Sequence, residues 1–192
     1  NSASFGKALK ELYDLDFIQK IPMVTIIQAQ RANPLYKTLI HHSPRLLRVE
    51  ARTLATAIKI GNPVSWKKAV RTMEWSQGWC DFVSEQEIAD AKAMIGLDGI
   101  GCEPASATTV AGIRKLIKTR EIDSDEDIVA VLTGNLLKDP DYTLSYHQDS
   151  LYEENPSSNE LLEGKNKVQS TFANAPIKVK ANKEEILKIL SL

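Results

Sequence analysis

The stretch Asp127–Pro140, DIVAVLTGNLLKDP, decides how the chain folds. Ile128–Leu132 is a continuous apolar run rich in β-branched residues, the pattern of a strand covered on both faces. It stops on Thr133-Gly134-Asn135, where a hydroxyl, a bare backbone and an amide follow the apolar run at once. Ligands of open α/β sheets bind beyond the carboxyl ends of the strands. Such an end is therefore either a ligand contact, with Gly134 admitting close approach, or a plain strand stop where glycine turns the chain. Glu103, which follows the run from Gly99 and precedes Pro104, is a second strand end of the same kind.

Working outward, strands alternate with helices. The opening NSASFGKALKELYDL is a helix pattern with Ser2 or Ser4 as candidate N-cap and Phe5, Ala8, Leu9 and Leu12 on one face. Met23–Ala29 reads as a buried strand, and Asn33-Pro34 starts a short helix. Thr53–Ile60 is helical in period until Gly61-Asn62-Pro63 breaks it. The next helix, opened by Pro63, carries Trp66, Ala69, Val70 and Met73 on one side. Trp79–Val83 is a short strand, and Ser84 with Glu87 forms a capping box ahead of the stripe Ile88, Ala91 and Ile95.

Gly99–Ser106 reads as strand into turn. The helix of Ser106–Ile122 is expected to bury Val110, Ile113 and Ile117 and to expose Arg114, Lys115 and Lys118. Tyr142–Asn166 is polar and reads as irregular, Ala175–Asn182 as an edge strand, and Asn182 as the cap of a last helix. The whole implies an α/β fold, a mostly parallel sheet covered by helices on both faces. Residues 1–140 form the core of the larger domain, and residues 141–192 a C-terminal extension.

Charge excludes some functions. With 24 basic and 25 acidic side chains the net charge is −1, which gives no electrostatic case for nucleic acid or an anionic membrane. No apolar run is long enough to span a bilayer. Cys80 and Cys102 fit no metal spacing and read as small core hydrophobes of a reducing, cytoplasmic protein. His41 and His42 are adjacent, so on a helix they point about 100° apart and cannot share a metal. His147 lies in the weakly patterned tail, and no catalytic triad is legible. The amino end of the first helix, with Asn1 and Ser2 beside it, is a phosphate site in principle, as every helix start is.

Three stretches resemble one family. Thr53–Val70 (TLATAIKIGNPVSWKKAV), Gly99–Leu116 (GIGCEPASATTVAGIRKL) and Val131–Pro140 (VLTGNLLKDP) are similar, in order and spacing, to segments of threonine synthase. The opening NSASFGKALKEL resembles the segment just after that family's Gly/Asn-rich phosphate loop, with Asn1 as the loop's last residue. The resemblance implies a tryptophan-synthase-β-like fold (fold type II) and pyridoxal 5'-phosphate as cofactor. The reaction it implies turns O-phospho-L-homoserine and water into L-threonine and phosphate. In the family the Thr of the "LTG" segment hydrogen-bonds the cofactor's pyridine nitrogen, and that Thr is Thr133 here. Gly134 would then lie at the ring edge and Asn1 at the phosphate. Ala57, Gly61, Asn62 and Glu103 would line the pocket, with Ser106 and Glu103 as supports rather than reacting groups.

Family members often carry His-Gly where this chain has Asn135-Leu136. The lysine that anchors the cofactor belongs to the family's N-terminal half, and no lysine here has its context. The expectation is therefore the C-terminal portion of the enzyme, cut from a longer polypeptide and inert alone. Its partners would be the N-terminal half and, in a homodimer, a second copy. Two rivals remain: a related serine/threonine dehydratase or β-replacement enzyme, and a non-catalytic interaction or regulatory module that kept the fold.

Overall fold

The computed structural model describes residues 1–123, 125–153 and 166–190. In chain order the elements are α1 (Ser2–Asp14), β1 (Ile26–Ala29), α2 (Pro34–Ile40), a 3-10 turn (Thr56–Ile58), α3 (Trp66–Ser76), β2 (Cys80–Val83), α4 (Glu85–Leu97), α5 (Pro104–Lys118), α6 (Pro140–His147) and α7 (Lys183–Leu190). β1 and β2 pair in parallel, Ile26 beside Cys80 through Ala29 beside Val83.

Side chains alternate across a strand, and the two faces of this pair meet different helices. Ile26 and Cys80 pack with Leu35 of α2 and with Ala69 and Met73 of α3. Ala29 and Val83 pack with Ile88, Ala91 and Ile95 of α4 and with Ala107 and Ala111 of α5. Helices thus cover both faces of a parallel sheet, as the sequence implies. Among the described residues, however, the sheet has only two strands.

Several local expectations hold. Asn33 occupies the N-cap position of α2 with Pro34 in its first turn, although its side chain makes no capping hydrogen bond. The Ser84 hydroxyl accepts from the Glu87 amide while the Glu87 carboxylate takes the Ser84 amide, the reciprocal capping box. Asn182 Oδ1 accepts from the Glu185 amide at 2.9 Å at the start of α7.

Others are corrected. Asp127–Gly134 is extended but forms no strand, and its Val129 is 88% exposed while Leu132 packs on the core. A run that looks covered on both faces is covered on one, because no described strand lies alongside to take its hydrogen bonds. Ile100–Glu103 is likewise without strand pairing, and Ala175–Asn182 forms no edge strand. Thr53–Ile60 contributes only the 3-10 turn, ahead of Gly61.

α1 is capped by Asn1, with neither serine in that position. α5 starts at Pro104 and buries Ala107, Thr108, Ala111, Gly112 and Leu116; Val110, Ile113 and Ile117 flank that stripe. The interior side is the small-residue side because the helix lies against β1: a Cβ on Gly112 would come within 2.4 Å of Ile27. Lys115 is half-buried, not solvated, and its Nζ bonds Asp81 and the Phe82 carbonyl.

Tyr142–His147, expected as irregular, is the helix α6. Tyr142 and Tyr146, four residues apart, present one face and bury it with Leu151 and Val168 against Ala89 and Ala93 of α4. Polarity hid the helix: its face is made of phenol rings, and the Tyr146 hydroxyl donates to Asp90 Oδ1 at 2.6 Å.

α1 rests on α3 at Gly6, where an added Cβ would stand 1.9 Å from Thr72 Oγ1. The buried Thr72 hydroxyl bonds Ser2 O at 3.2 Å and Lys68 O at 3.1 Å, so it cannot swing aside. Gly6→Ala should destabilise the protein by about 1–3 kcal/mol despite its helix propensity. In denaturant titrations the Gly6→Ala/Thr72→Ala double variant should lose less than the sum of the two singles.

Burial pushes the Cys80 thiol up to about 12 from its ordinary 9.0, with Asp81 adding to the effect. Alkylation of Cys80 at pH 8 should therefore be about a thousandfold slower in the folded protein than in denaturant, read by mass spectrometry.

Candidate functional site

The carboxyl end of the extended Asp127–Thr133 segment meets the first turn of α5. Ser106, on that turn, is buried, and its Oγ accepts a hydrogen bond from the Thr133 amide at 2.9 Å. Ser106 Oγ and Thr133 Oγ1 also lie 2.9 Å apart. Thr133 Oγ1 is 3.4 Å from Glu103 Oε1, and the Glu103 amide donates to Thr133 O at 3.3 Å. Two helix-entry residues, the N-cap Glu103 and Ser106 three positions on, thus grip both the backbone and the side chain of Thr133.

Thr133 itself is exposed. Its hydroxyl sits in a polar cluster at the surface, not among packed aliphatic side chains. Since Ser106 Oγ already accepts from the Thr133 amide, its own proton is available to Thr133 Oγ1. The threonine proton then points to Glu103 Oε1 at 3.4 Å, a long contact that a closer acceptor can replace.

Gly134 is at φ +74, and a Cβ there would come within 2.8–2.9 Å of the Glu103 side chain. Both the backbone sign and the close approach call for glycine. The next loop folds back on the cluster: Lys138 Nζ pairs with Glu103 Oε2, and Asn135 Oδ1 accepts from the Leu137 amide at 2.9 Å. Leu136 lies against Gly101, where a Cβ would be 2.6 Å from its own. Asp139 then takes the Thr56 hydroxyl at 3.3 Å, which ties the 3-10 turn carrying Ala57 to this loop.

Of the residues expected at the site, the structure therefore gathers Thr133, Gly134, Glu103 and Ser106, and brings Ala57 to the adjoining loop. Gly61 and Asn62 lie one step further along that segment, with Gly61 O accepting from the Val49 amide at 3.1 Å. Asn1 is exposed at the amino end of α1, an element placed by its packing on α3. Two participants were not anticipated. Lys138 and Asp139 stand in the quoted LLKDP segment with no motif to distinguish them from ordinary loop charges. Among the described residues no cluster of His, Cys, Asp and Glu could hold a metal ion, and no helix is long and apolar enough to cross a membrane.

The family described as "Pyridoxal-phosphate dependent enzyme" matches residues 1–134, a range that ends on the glycine of this cluster. The chain belongs to that family. This pyridoxal-phosphate family member is similar to the threonine synthase of Methanosarcina acetivorans, 41% identical over 142 residues, 73% of this chain and 35% of that protein. The threonine synthase of Methanocaldococcus jannaschii is 35% identical over 153 residues, 79% of this chain and 38% of that one. Threonine synthase 2, chloroplastic, of Arabidopsis thaliana is 28% identical over 193 aligned residues, which cover 99% of this chain and 34% of that protein. The chain thus spans little more than a third of the length of the relatives it matches. Its α/β architecture and the cofactor named in the family description agree with the fold and chemistry expected from the sequence.

Gly134→Ala should displace the Glu103 carboxylate and strain the turn together. A loss of about 1–3 kcal/mol in chemical denaturation is expected, with little recovered by Gly134→Asn, which tolerates the positive φ but keeps the clash.

Proposed function

We propose that this chain is the part of a threonine synthase that holds the nitrogen side of the pyridoxal 5'-phosphate ring. The single observation that carries this reading is the exposed Thr133 hydroxyl, held by Ser106 at 2.9 Å with its proton on only a long, 3.4 Å contact to Glu103. These residues fit the group. A pyridine nitrogen is a neutral acceptor, and a hydroxyl supplies one donor without the fixed negative charge that would keep the ring protonated. The bound cofactor supplies an electron sink for carbanions formed on the substrate.

In this reading Thr133 binds the ring nitrogen, and Ser106 positions it by donating to Thr133 Oγ1. Gly134 leaves room for the ring edge, because no side chain there can coexist with Glu103. Glu103, itself paired with Lys138, receives the Thr133 proton when no ring is present and so keeps the hydroxyl poised. The amino end of α1 would hold the phosphate, its first amides having no partner within the helix. Ala57, Gly61 and Asn62 would border the pocket. The covalent lysine and the remaining contacts come from residues outside this chain, and the substrate is O-phospho-L-homoserine. A cytoplasmic location and a homodimeric assembly go with the same reading. The relatives' names and the order of three sequence segments support the choice of substrate.

Turnover separates this from the dehydratase alternative. The complete enzyme should release phosphate and form threonine from O-phospho-L-homoserine; deamination of threonine with no turnover of the phosphate ester overturns the assignment. Thr133→Val should leave the fold intact and weaken cofactor binding roughly three- to tenfold, the value of one hydrogen bond of about 0.5–1.5 kcal/mol. Titration followed by visible absorbance measures it, and wild-type affinity in the variant removes Thr133 from the site.

A further inference from the structure

A cavity of about 260 Å³ opens on the other side of the Gly101–Leu136 contact, between α4, α6 and the segment carrying Gly99–Gly101. Its walls are mainly apolar, with Ala93, Ile100 and Leu136 among them. Into this setting α4 places Lys92, which is 7% exposed. The Lys92 ammonium donates to the Cys102 carbonyl at 2.8 Å. Among the described residues no carboxylate forms an ion pair with it, so two of its three donors are unused. A buried cation with only a neutral partner is costly to keep.

The α6 wall adds two further orphans. Tyr142 and Thr143 both line the cavity, and each hydroxyl is buried without a hydrogen-bond partner. His147 lines it too; its Nδ1 accepts from the Asn174 amide at 2.9 Å, so the neutral ring carries its proton on Nε2 as a donor. Burial, and secondarily Lys92, hold the His147 pKa below its usual value, so this ring is uncharged at neutral pH.

We propose that this cavity binds a small aliphatic carboxylate, with Lys92 as its counter-ion. One cation, with the neutral His147 Nε2–H donor in the same cavity, matches a single negative charge. The apolar walls match a short hydrocarbon body, and the volume lies just below the roughly 300–1,000 Å³ usual for small-molecule pockets. A phosphate dianion fits less well, because the second charge would have no cation and Asp139 lies near enough to act on Lys92. The site is separate from the Thr133 cluster and does not depend on the assigned reaction.

The test is calorimetric titration of the complete cofactor-loaded protein with 4-methylvalerate, with chloride and inorganic phosphate as comparisons. Saturable binding of the carboxylate is expected, weakened at least ~10-fold by Lys92→Met, the loss of a charge-assisted hydrogen bond. Gly96 also lines the cavity, and a Cβ there meets no atom within 4 Å. Gly96→Leu should therefore fold and obstruct binding, and it carries the test alone if Lys92→Met does not fold. Absence of saturable binding, equal affinity for phosphate, or wild-type affinity in Lys92→Met or Gly96→Leu overturns the proposal.

Discussion

The site depends on one hydrogen-bonding atom, Ser106 Oγ. It accepts from the amide of Thr133 and lies at the same distance from that residue's hydroxyl, 2.9 Å in both cases. The segment ending at Thr133 has no strand beside it among the described residues, so sheet pairing cannot fix its end. The first turn of α5 does so instead. Because α5 is itself seated on β1 through Gly112 and Ile27, the position of one exposed hydroxyl is referred back to the paired strands. Local pairing between a helix start and a chain end replaces the ladder that would otherwise set the register.

That substitution explains which parts of the structure were legible in the sequence. Caps and breakers act over three or four residues, and Ser84, Glu87 and Asn182 all perform as their local chemistry dictates. Four residues picked from the sequence also lie together: Thr133, Gly134, Glu103 and Ser106. What failed was the inference from apolar content to burial. Val129 is more hydrophobic than Ala29, but Ala29 is buried in the core while Val129 is 88% exposed. A one-dimensional pattern registers the demand for cover and cannot tell whether this length of chain supplies it.

The reverse error occurred in α6. Its inward face is formed by Tyr142 and Tyr146, counted as weakly polar in a segment otherwise full of serine, asparagine and acid. Burial there is supported by phenol rings against the alanines of α4, with Asp90 satisfying one hydroxyl. α5 shows the same principle from the other side: alanine, glycine and threonine face the sheet, while the larger Val110 and Ile113 flank the contact. Close approach of two elements selects small residues, so the most hydrophobic stripe of a helix is not always its innermost one.

The Lys115 contact described with the fold has a consequence for the sheet's width. In the register observed, the Trp79 and Val83 carbonyls bond β1, so the groups of Phe82 point away from it. Both are already taken: its amide by Asp81 Oδ1 at 2.8 Å and its carbonyl by Lys115 Nζ at 2.7 Å. At Phe82 the outer margin of β2 is therefore closed to a further strand, by Asp81 of the strand itself and by Lys115 of α5.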